Sequence, residues 1–489
     1  MLKTLVTIGA LQFVTMLVQL IRTKLLALIL GPEMVGAMAV IDKLLAVIAQ
    51  TVSFSLPFAA LRFLPGRWAD DASEFTDLFR RMRNLLLALI LTATVSALVV
   101  TAVRPALWGP QLLPYLPALT AAFFGLPVIA LVPFLQNAIA ARLQQNRAMM
   151  VSFLHALVLT FATVGVWWRG LSGVYYVYAA LGVLVMSVVA HRVTSGIGGA
   201  TTSSTPVFPV AFRLPRPVWR FSGALLILTF ASPYAALFVH YRLLRDHGAE
   251  MAGWMQAAFG LGLAVRAVLG SAHSIFLTPN VNRGGTVQDR MAWANRFQGT
   301  LCLIAGLAVP PLLFFPALAV ELLYSRSFTP GAAFVTVFVV TEVVGLLAGT
   351  YQSLVLAFDR MRVHLFNNLI AQCLVVALAY KLVGPLGILG AGLAGLVAPL
   401  YLYVATSAFL HFAYGLRVPA RVVARSFWLL LGLVVAGLTG AMYKETNLES
   451  LVLKATIYVS IAGGFALLLT GEERQRLRQG LNRLSTRWT

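Results

Sequence analysis

Apolar residues run in stretches of about twenty from one end of the chain to the other, with most of the charged residues in the gaps between them. A stretch of that length, wound as an α-helix, crosses the roughly 30 Å hydrocarbon layer of a bilayer. Strands of a membrane barrel would be about ten residues long and would alternate apolar and polar positions; these runs are continuously apolar. The pattern predicts an all-α polytopic membrane protein of about fourteen transmembrane helices. They fall at 4–30, 34–56, 84–107, 115–137, 148–168, 171–190, 222–243, 251–276, 297–321, 331–356, 363–383, 387–410, 426–443 and 451–470. The N-terminal run is too long for a cleaved signal peptide and lacks its small-residue ending, so it is read as the first span.

The gaps carry a repeat. GPEMVGAM at 31–38 returns as GAEMAGWM at 248–255, agreeing at Gly31/Gly248, Glu33/Glu250, Met34/Met251, Gly36/Gly253 and Met38/Met255. The first copy links spans one and two, the second spans seven and eight, so each opens a block of six spans. Two blocks of parallel topology, related by an axis along the membrane normal, are a transporter arrangement. The predicted organisation is a six-helix lobe at 1–194, a cytoplasmic linker at 195–221 and a second lobe at 222–410. An extra helix pair at 411–470 and a basic tail at 471–489 follow. Within the repeat, Gly-x-Glu-Met-x-Gly reads as a tight turn with helix restart, because glycine reaches backbone conformations other residues avoid.

Composition agrees and charge adds an orientation. Of 489 residues, 60% are hydrophobic and 11% charged, against about 25% charged in soluble domains. If the N-terminus is cytoplasmic, the inner segments hold 25 of the 37 Lys and Arg residues. Cytoplasmic loops are enriched in these residues, so both termini are expected inside. The net charge of +21 is then mostly this asymmetry and implies no nucleic-acid partner. In the tail, Leu477, Leu481, Leu484 and Trp488 share one helical face among arginines, the pattern of a helix lying on anionic membrane lipids. Cys302 and Cys373 lie inside apolar runs and read as small hydrophobes.

No hydrolytic, metal or phosphate-loop motif is present, and no cofactor is implied. Gly390, Gly392 and Gly395 spell G-x-G-x-x-G, but inside an apolar run whose next acid is Glu445; small residues that let membrane helices approach account for it. Charges inside the hydrocarbon say more, since each costs about 2.5–3.5 kcal/mol at a helix centre on insertion scales. At about 1.5 Å per residue, Arg22 and Lys24 lie roughly 10–13 Å below the outer end of span one, and Asp42 and Lys43 about 17 Å down span two. Arg266 is comparably deep in span eight, and Glu342 is the deep acid of span ten. Structural duties compete: Lys24 can snorkel outward, Asp42 can neutralise Lys43 or Arg22, Arg62 can anchor span two, and Glu342 can bond a neighbouring helix. His155, His240 and His273 read as satisfied core residues. The deep bases of spans one, two and eight still outnumber the acids beside them, which makes Arg22, Lys24, Lys43 and Arg266 candidate walls of a cationic cavity. Asp42 and Glu342 are the candidate coupling or charge partners. A cationic cavity implies an anionic cargo, and arginine grips phosphate through paired hydrogen bonds.

LILGPEMVGAMAVIDKLLAVIAQTVSFSLPFAALRF (28–63) resembles the first-loop signature of polysaccharide transporters, oligosaccharide flippases of the multidrug/oligosaccharidyl-lipid/polysaccharide (MOP) exporter superfamily. GPLGILGAGLAGLVAPLYLY (384–403) is similar to that family's glycine-rich span twelve. The resemblance implies two six-helix lobes in a pseudo-two-fold V around a central cavity. It implies a bacterial inner-membrane protein that moves a polyprenyl-pyrophosphate-linked oligosaccharide, a cell-surface polysaccharide precursor, to the outer leaflet by alternating access. Polysaccharide polymerase or ligase machinery would be the partner. The related lipid II flippases use basic residues in spans one, two and eight, places that Arg22, Lys43 and Arg266 match here. The chain has few tyrosines around its first spans, which leaves sugar-stacking positions unassigned. A cation-coupled multidrug antiporter of the same superfamily is the first rival; it would carry a deep acid in span one, where this chain has Arg22 and Lys24, though Asp42 keeps it open. A membrane glycosyltransferase or polymerase would need a long outer loop with catalytic acids, which is absent, so the chain is not expected to be an enzyme.

Overall fold

The computed structural model describes residues 2–70, 72–142, 144–195, 214–273, 285–443 and 447–469, with Leu277, Val281 and Gln475 besides. Of the linker predicted at 195–221, residues 196–213 lie outside the described residues, and the eighth helix already begins at Arg216, inside the linker's predicted end; the tail predicted at 471–489 lies outside them except for Gln475. The described chain is helical throughout: α1 (Leu2–Val52), α2 (Leu56–Asp70), α3 (Ala72–Val103), α4 (Leu116–Phe124), α5 (Leu126–Ala141), α6 (Gln145–Phe161), α7 (Val166–Ser195), α8 (Arg216–His247), α9 (Ala249–Ala272), α10 (Val287–Ala308), α11 (Pro310–Phe314), α12 (Pro316–Leu323), α13 (Val335–Ala357), α14 (Met361–Tyr414), α15 (Ala420–Met442) and α16 (Leu448–Leu468), joined by short 3₁₀ turns.

Among the described residues, eleven helical stretches are long and apolar enough to cross a membrane. Three of them are hairpins. The α1 stretch breaks at Gly31 (φ 70°), the stretch through α6 and α7 at Arg169–Gly170, and α14 at Gly387. Counted by their arms, the fourteen predicted spans each find a helical counterpart. Local chemistry sets two departures. Span two ends at Val52 and restarts at Leu56, because Phe54 and Ser55 take positive φ. Ser55 then meets Thr229 hydroxyl to hydroxyl at 2.8 Å, and Asn137 Nδ2 donates to Pro57 O at 3.0 Å. Span nine starts earlier, at Val287, where Thr286 and Asp289 form a capping box, and it is interrupted around Pro310 and Pro316.

Contacts gather the helices into two compact units. The first comprises Met1–Ala257, Val320–Gly331 and Leu365–Ala398, the second Ala258–Ala319, Ala332–His364 and Pro399–Thr489. In the first, Phe75, Phe79, Phe123 and Phe134 are fully buried, with Phe79 and Phe134 stacked at 5.5 Å. The core of the second includes Met291, Ala294, Tyr351, Leu354 and Leu410, and a buried polar set joins Gln298 Nε2 to Tyr403 and Ser426 at 3.0 and 2.9 Å. Large apolar side chains such as Leu91, Val95, Val103 and Leu467 stand more than half exposed on the outer faces of the spans, as lipid-facing surface requires.

Both copies of the repeat lie in the first unit, and they touch each other. Gly31 and Gly248 carry the turns at φ 70° and 88°. A Cβ on Gly36 would collide with the Ala249 carbonyl and the Gly253 amide, and one on Gly253 with the Pro32 carbonyl. The repeat therefore turns the chain with its first glycine and packs copy against copy with its second. Gly390 sits inside α14 with its Cβ position against the Leu382 carbonyl. With no strand before it among the described residues, the G-x-G-x-x-G is helix packing.

Candidate functional site

In the first unit, the two arms of α1 together line a cavity of about 90 Å³. Arg22, Thr23 and Leu26 come from the first arm and Val35, Met38, Ala39 and Asp42 from the second. Gln256 of α9 and Tyr324, which follows α12, complete the lining. The hairpin at Gly31 is what makes Arg22 and Asp42, twenty residues apart in sequence, walls of one space. Asp42 is positioned by α7: Tyr175, itself 4% exposed, donates to Asp42 Oδ1 at 2.8 Å and reaches Met38 O at 3.4 Å. Tyr178, one turn on, bonds His155 Nε2 at 3.0 Å. Arg22 Nε is buried with no hydrogen-bond partner, a condition that costs a buried donor about 1–3 kcal/mol. Tyr324 OH donates to Gln256 O at 3.3 Å.

The other sequence candidates take separate places. Lys24 Nζ donates to the Glu321 carbonyl at 2.6 Å, so its ammonium caps the chain at the end of α12. Lys43 is half-buried, within electrostatic range of Asp42 and His240, and is not among the residues lining this cavity. Arg266 and Glu342 belong to the second unit and to each other: Arg266 Nη1 meets Glu342 Oε2 at 2.9 Å, with the arginine side chain 57% exposed and the carboxylate 8%. Gly262 lets the two helices approach, its Cβ position lying 2.9 Å from Phe338 O and 3.3 Å from Glu342 Cγ. Arg62 stacks over Phe221 at 4.6 Å. His155 and His240 are engaged locally, His240 Nδ1 donating to Ala236 O at 2.8 Å. His273 lies against Phe297.

Tyr175, Gln256 and Tyr324 escaped the sequence reading. Tyr175 and Tyr178 in GVYYVYAALG stand three apart on one helical face among small residues, a signal that would have marked the first two spans' missing phenols. Gln256 and Tyr324 carry no such pattern. Among the described residues, no group of three or more metal-ligating side chains occurs.

No family model matches the chain, and no curated protein matches it. Solved structures do. A lipid II flippase, MurJ, in an inward closed conformation superposes with a TM-score of 0.72 at 12% identity, covering 94% of this chain and 98% of that one. An inward-facing multidrug resistance MATE transporter of the MOP superfamily superposes with a TM-score of 0.60 at 14% identity, over 88% of this chain and 98% of its own. A MOP superfamily transporter from Pyrococcus furiosus, described as having a binding pocket of reversed polarity, gives 0.52 at 14% identity over 88% and 94%. The chain has the all-helical polytopic fold of these MOP superfamily transporters and flippases.

Proposed function

We propose that this protein is a flippase that carries a polyprenyl-pyrophosphate-linked oligosaccharide from the cytoplasmic to the outer leaflet of a bacterial inner membrane. The observation that carries the reading is Arg22: a guanidinium on the wall of a cavity within the first unit, with a buried Nε that no protein group satisfies. An arginine so placed fits a phosphate oxygen, which supplies the missing acceptor. The fold neighbours support transport over catalysis, since MurJ is a lipid II flippase and the others are transporters. Alternating access would expose the Arg22 cavity to each side in turn. Lys43, in the same unit and within electrostatic range of Asp42, would add positive charge near it. The ammonium of Lys24 already serves the Glu321 carbonyl, which gives it a smaller part.

A cation-coupled multidrug antiporter is the second reading, favoured by Asp42 on the cavity wall and by the MATE-type neighbours. Transport in proteoliposomes separates the two. With a fluorescent polyprenyl-pyrophosphate glycan, Arg22→Ala should slow translocation by on the order of ten- to a hundredfold, the worth of one charge-assisted hydrogen bond, while Lys24→Ala has the milder effect. Wild-type rates in Arg22→Ala, or proton-driven efflux of a cationic dye that survives it, would sink the flippase reading.

A further inference from the structure

The cavity holds both signs of charge, and that narrows its ligand beyond "anionic lipid". Arg22 and Asp42 line the same space. Asp42 is not a bystander turned into the helix bundle: buried Tyr175, from a different helix, donates a hydrogen bond to its Oδ1 at 2.8 Å. This fixes the rotamer while leaving most of the carboxylate's roughly four acceptor positions unused. A headgroup made of acceptors alone, a bare phosphate or pyrophosphate, satisfies Arg22 and is repelled by Asp42. A cationic amphiphile satisfies Asp42 and is repelled by Arg22. The complementary ligand has an anionic oxygen for Arg22 and, one group further on, neutral N–H or O–H donors for Asp42, as a sugar attached to a phosphate has. Gln256 and Tyr324 add an amide and a phenol to the same wall, side chains that pair with hydroxyls.

We infer that Asp42, held in place by Tyr175, is the specificity-determining residue of the cavity: it accepts hydroxyl or amide donors from the first sugar beyond the phosphate that Arg22 holds. The inference rests on the reading of the site as one for lipid-linked glycans and names what distinguishes a loaded lipid carrier from an empty one. A site that accepts hydrogen bonds from a substrate hydroxyl rejects the analogue lacking it far more strongly than an apolar pocket could. Asp42 therefore retains the glycosylated carrier and releases the spent one. Tyr175 is a positioning residue, acting through Asp42.

The test compares binding of two probes to the full-length protein in nanodiscs: polyprenyl-pyrophosphoryl-N-acetylglucosamine and polyprenyl pyrophosphate with the same tail. The wild type should bind the sugar-bearing lipid at least tenfold more tightly. Asp42→Asn should bring the ratio toward one, by weakening the glycosylated probe and strengthening the bare one as the negative charge leaves. Tyr175→Phe, which keeps every charge, should lower the ratio in the same direction by a smaller factor. Arg22→Ala should weaken both probes together and leave the ratio intact. Melting temperatures of the variants identify any that fail to fold, and Tyr175→Phe tests the idea should Asp42→Asn be one of them. Equal binding of the two probes by the wild type, or a ratio untouched in both the Asp42 and Tyr175 variants, overturns the assignment while leaving the flippase reading standing. Tight binding of zwitterionic phospholipid in preference to both probes overturns it as well, the donor then being an ammonium. If the wild type binds neither probe, the flippase reading itself fails.

Discussion

At the scale of single residues, the deep charges divide into those that another side chain holds and those that face open space. Arg266 and Glu342 hold each other at 2.9 Å, and the carboxylate is the more enclosed of the two. Removing the arginine would leave a buried acid without its partner, and the cost of that exceeds what the pair contributes when intact. Arg266→Ala should therefore lower thermal stability in detergent by about 1–3 kcal/mol, Glu342→Gln by less, and the double variant should recover part of the loss. Strict additivity across that cycle would mean the two groups do not interact. This pair also bears on the reading of Arg266 as a cargo ligand: a transport defect in Arg266→Ala counts for cargo binding only if Glu342→Gln, which leaves the guanidinium in place, retains transport.

At the scale of elements, glycine decides where spans begin and how closely they pass. The turn residues Gly31 and Gly248 were legible in the sequence as repeats of one motif, but the duty of the second glycine was not. Gly36 and Gly253 face the backbone of the opposite copy, and a contact between residues 217 positions apart leaves no local trace. A bulky side chain at either position must push backbone away from backbone, and overpacking of this kind costs typically 1–3 kcal/mol. Gly36→Leu and Gly253→Leu should each lower the melting temperature by several degrees, whereas Gly463→Leu, with nothing within 4 Å of its Cβ position, should not. Equal melting temperatures for all three would refute the reciprocal contact. The break at Phe54–Ser55 is the opposite case. Nothing in an apolar run containing Ser-Phe-Ser announces a helix end, and the hydroxyl pairing with Thr229 that accompanies it belongs to a distant helix.

At the scale of the whole molecule, the orientation inferred from the basic gaps is a prediction about every loop at once. Single cysteines at Arg169, in the turn between the arms of the α6–α7 stretch, and at Arg360, before α14, fall on opposite sides in that scheme. In intact cells of a cysteine-free background (Cys302 and Cys373 replaced), a membrane-impermeant maleimide should label Arg169→Cys directly. Arg360→Cys should label only after permeabilisation. The reverse pattern would invert the topology, and with it the direction of transport proposed above.

The all-helical polytopic fold, the approximate bounds of its spans and the recurrence of the turn motif were legible in the sequence alone. The reason is that a bilayer core imposes a one-dimensional test on each segment, long enough and apolar enough, which a reader can apply without knowing any contact. The presence of costly charges in the spans was equally visible, because their cost is local. What each charge does was decided only by tertiary structure. Lys24 and Arg22 are two residues apart on one helix, yet one bonds the carbonyl of Glu321 and the other lines a cavity with Asp42. Asp42 itself is aimed by a tyrosine 133 positions away. Hydrogen bonds are short and directional, so the partner of a buried polar group depends on which helix packs alongside it, and that is a property of the assembled bundle.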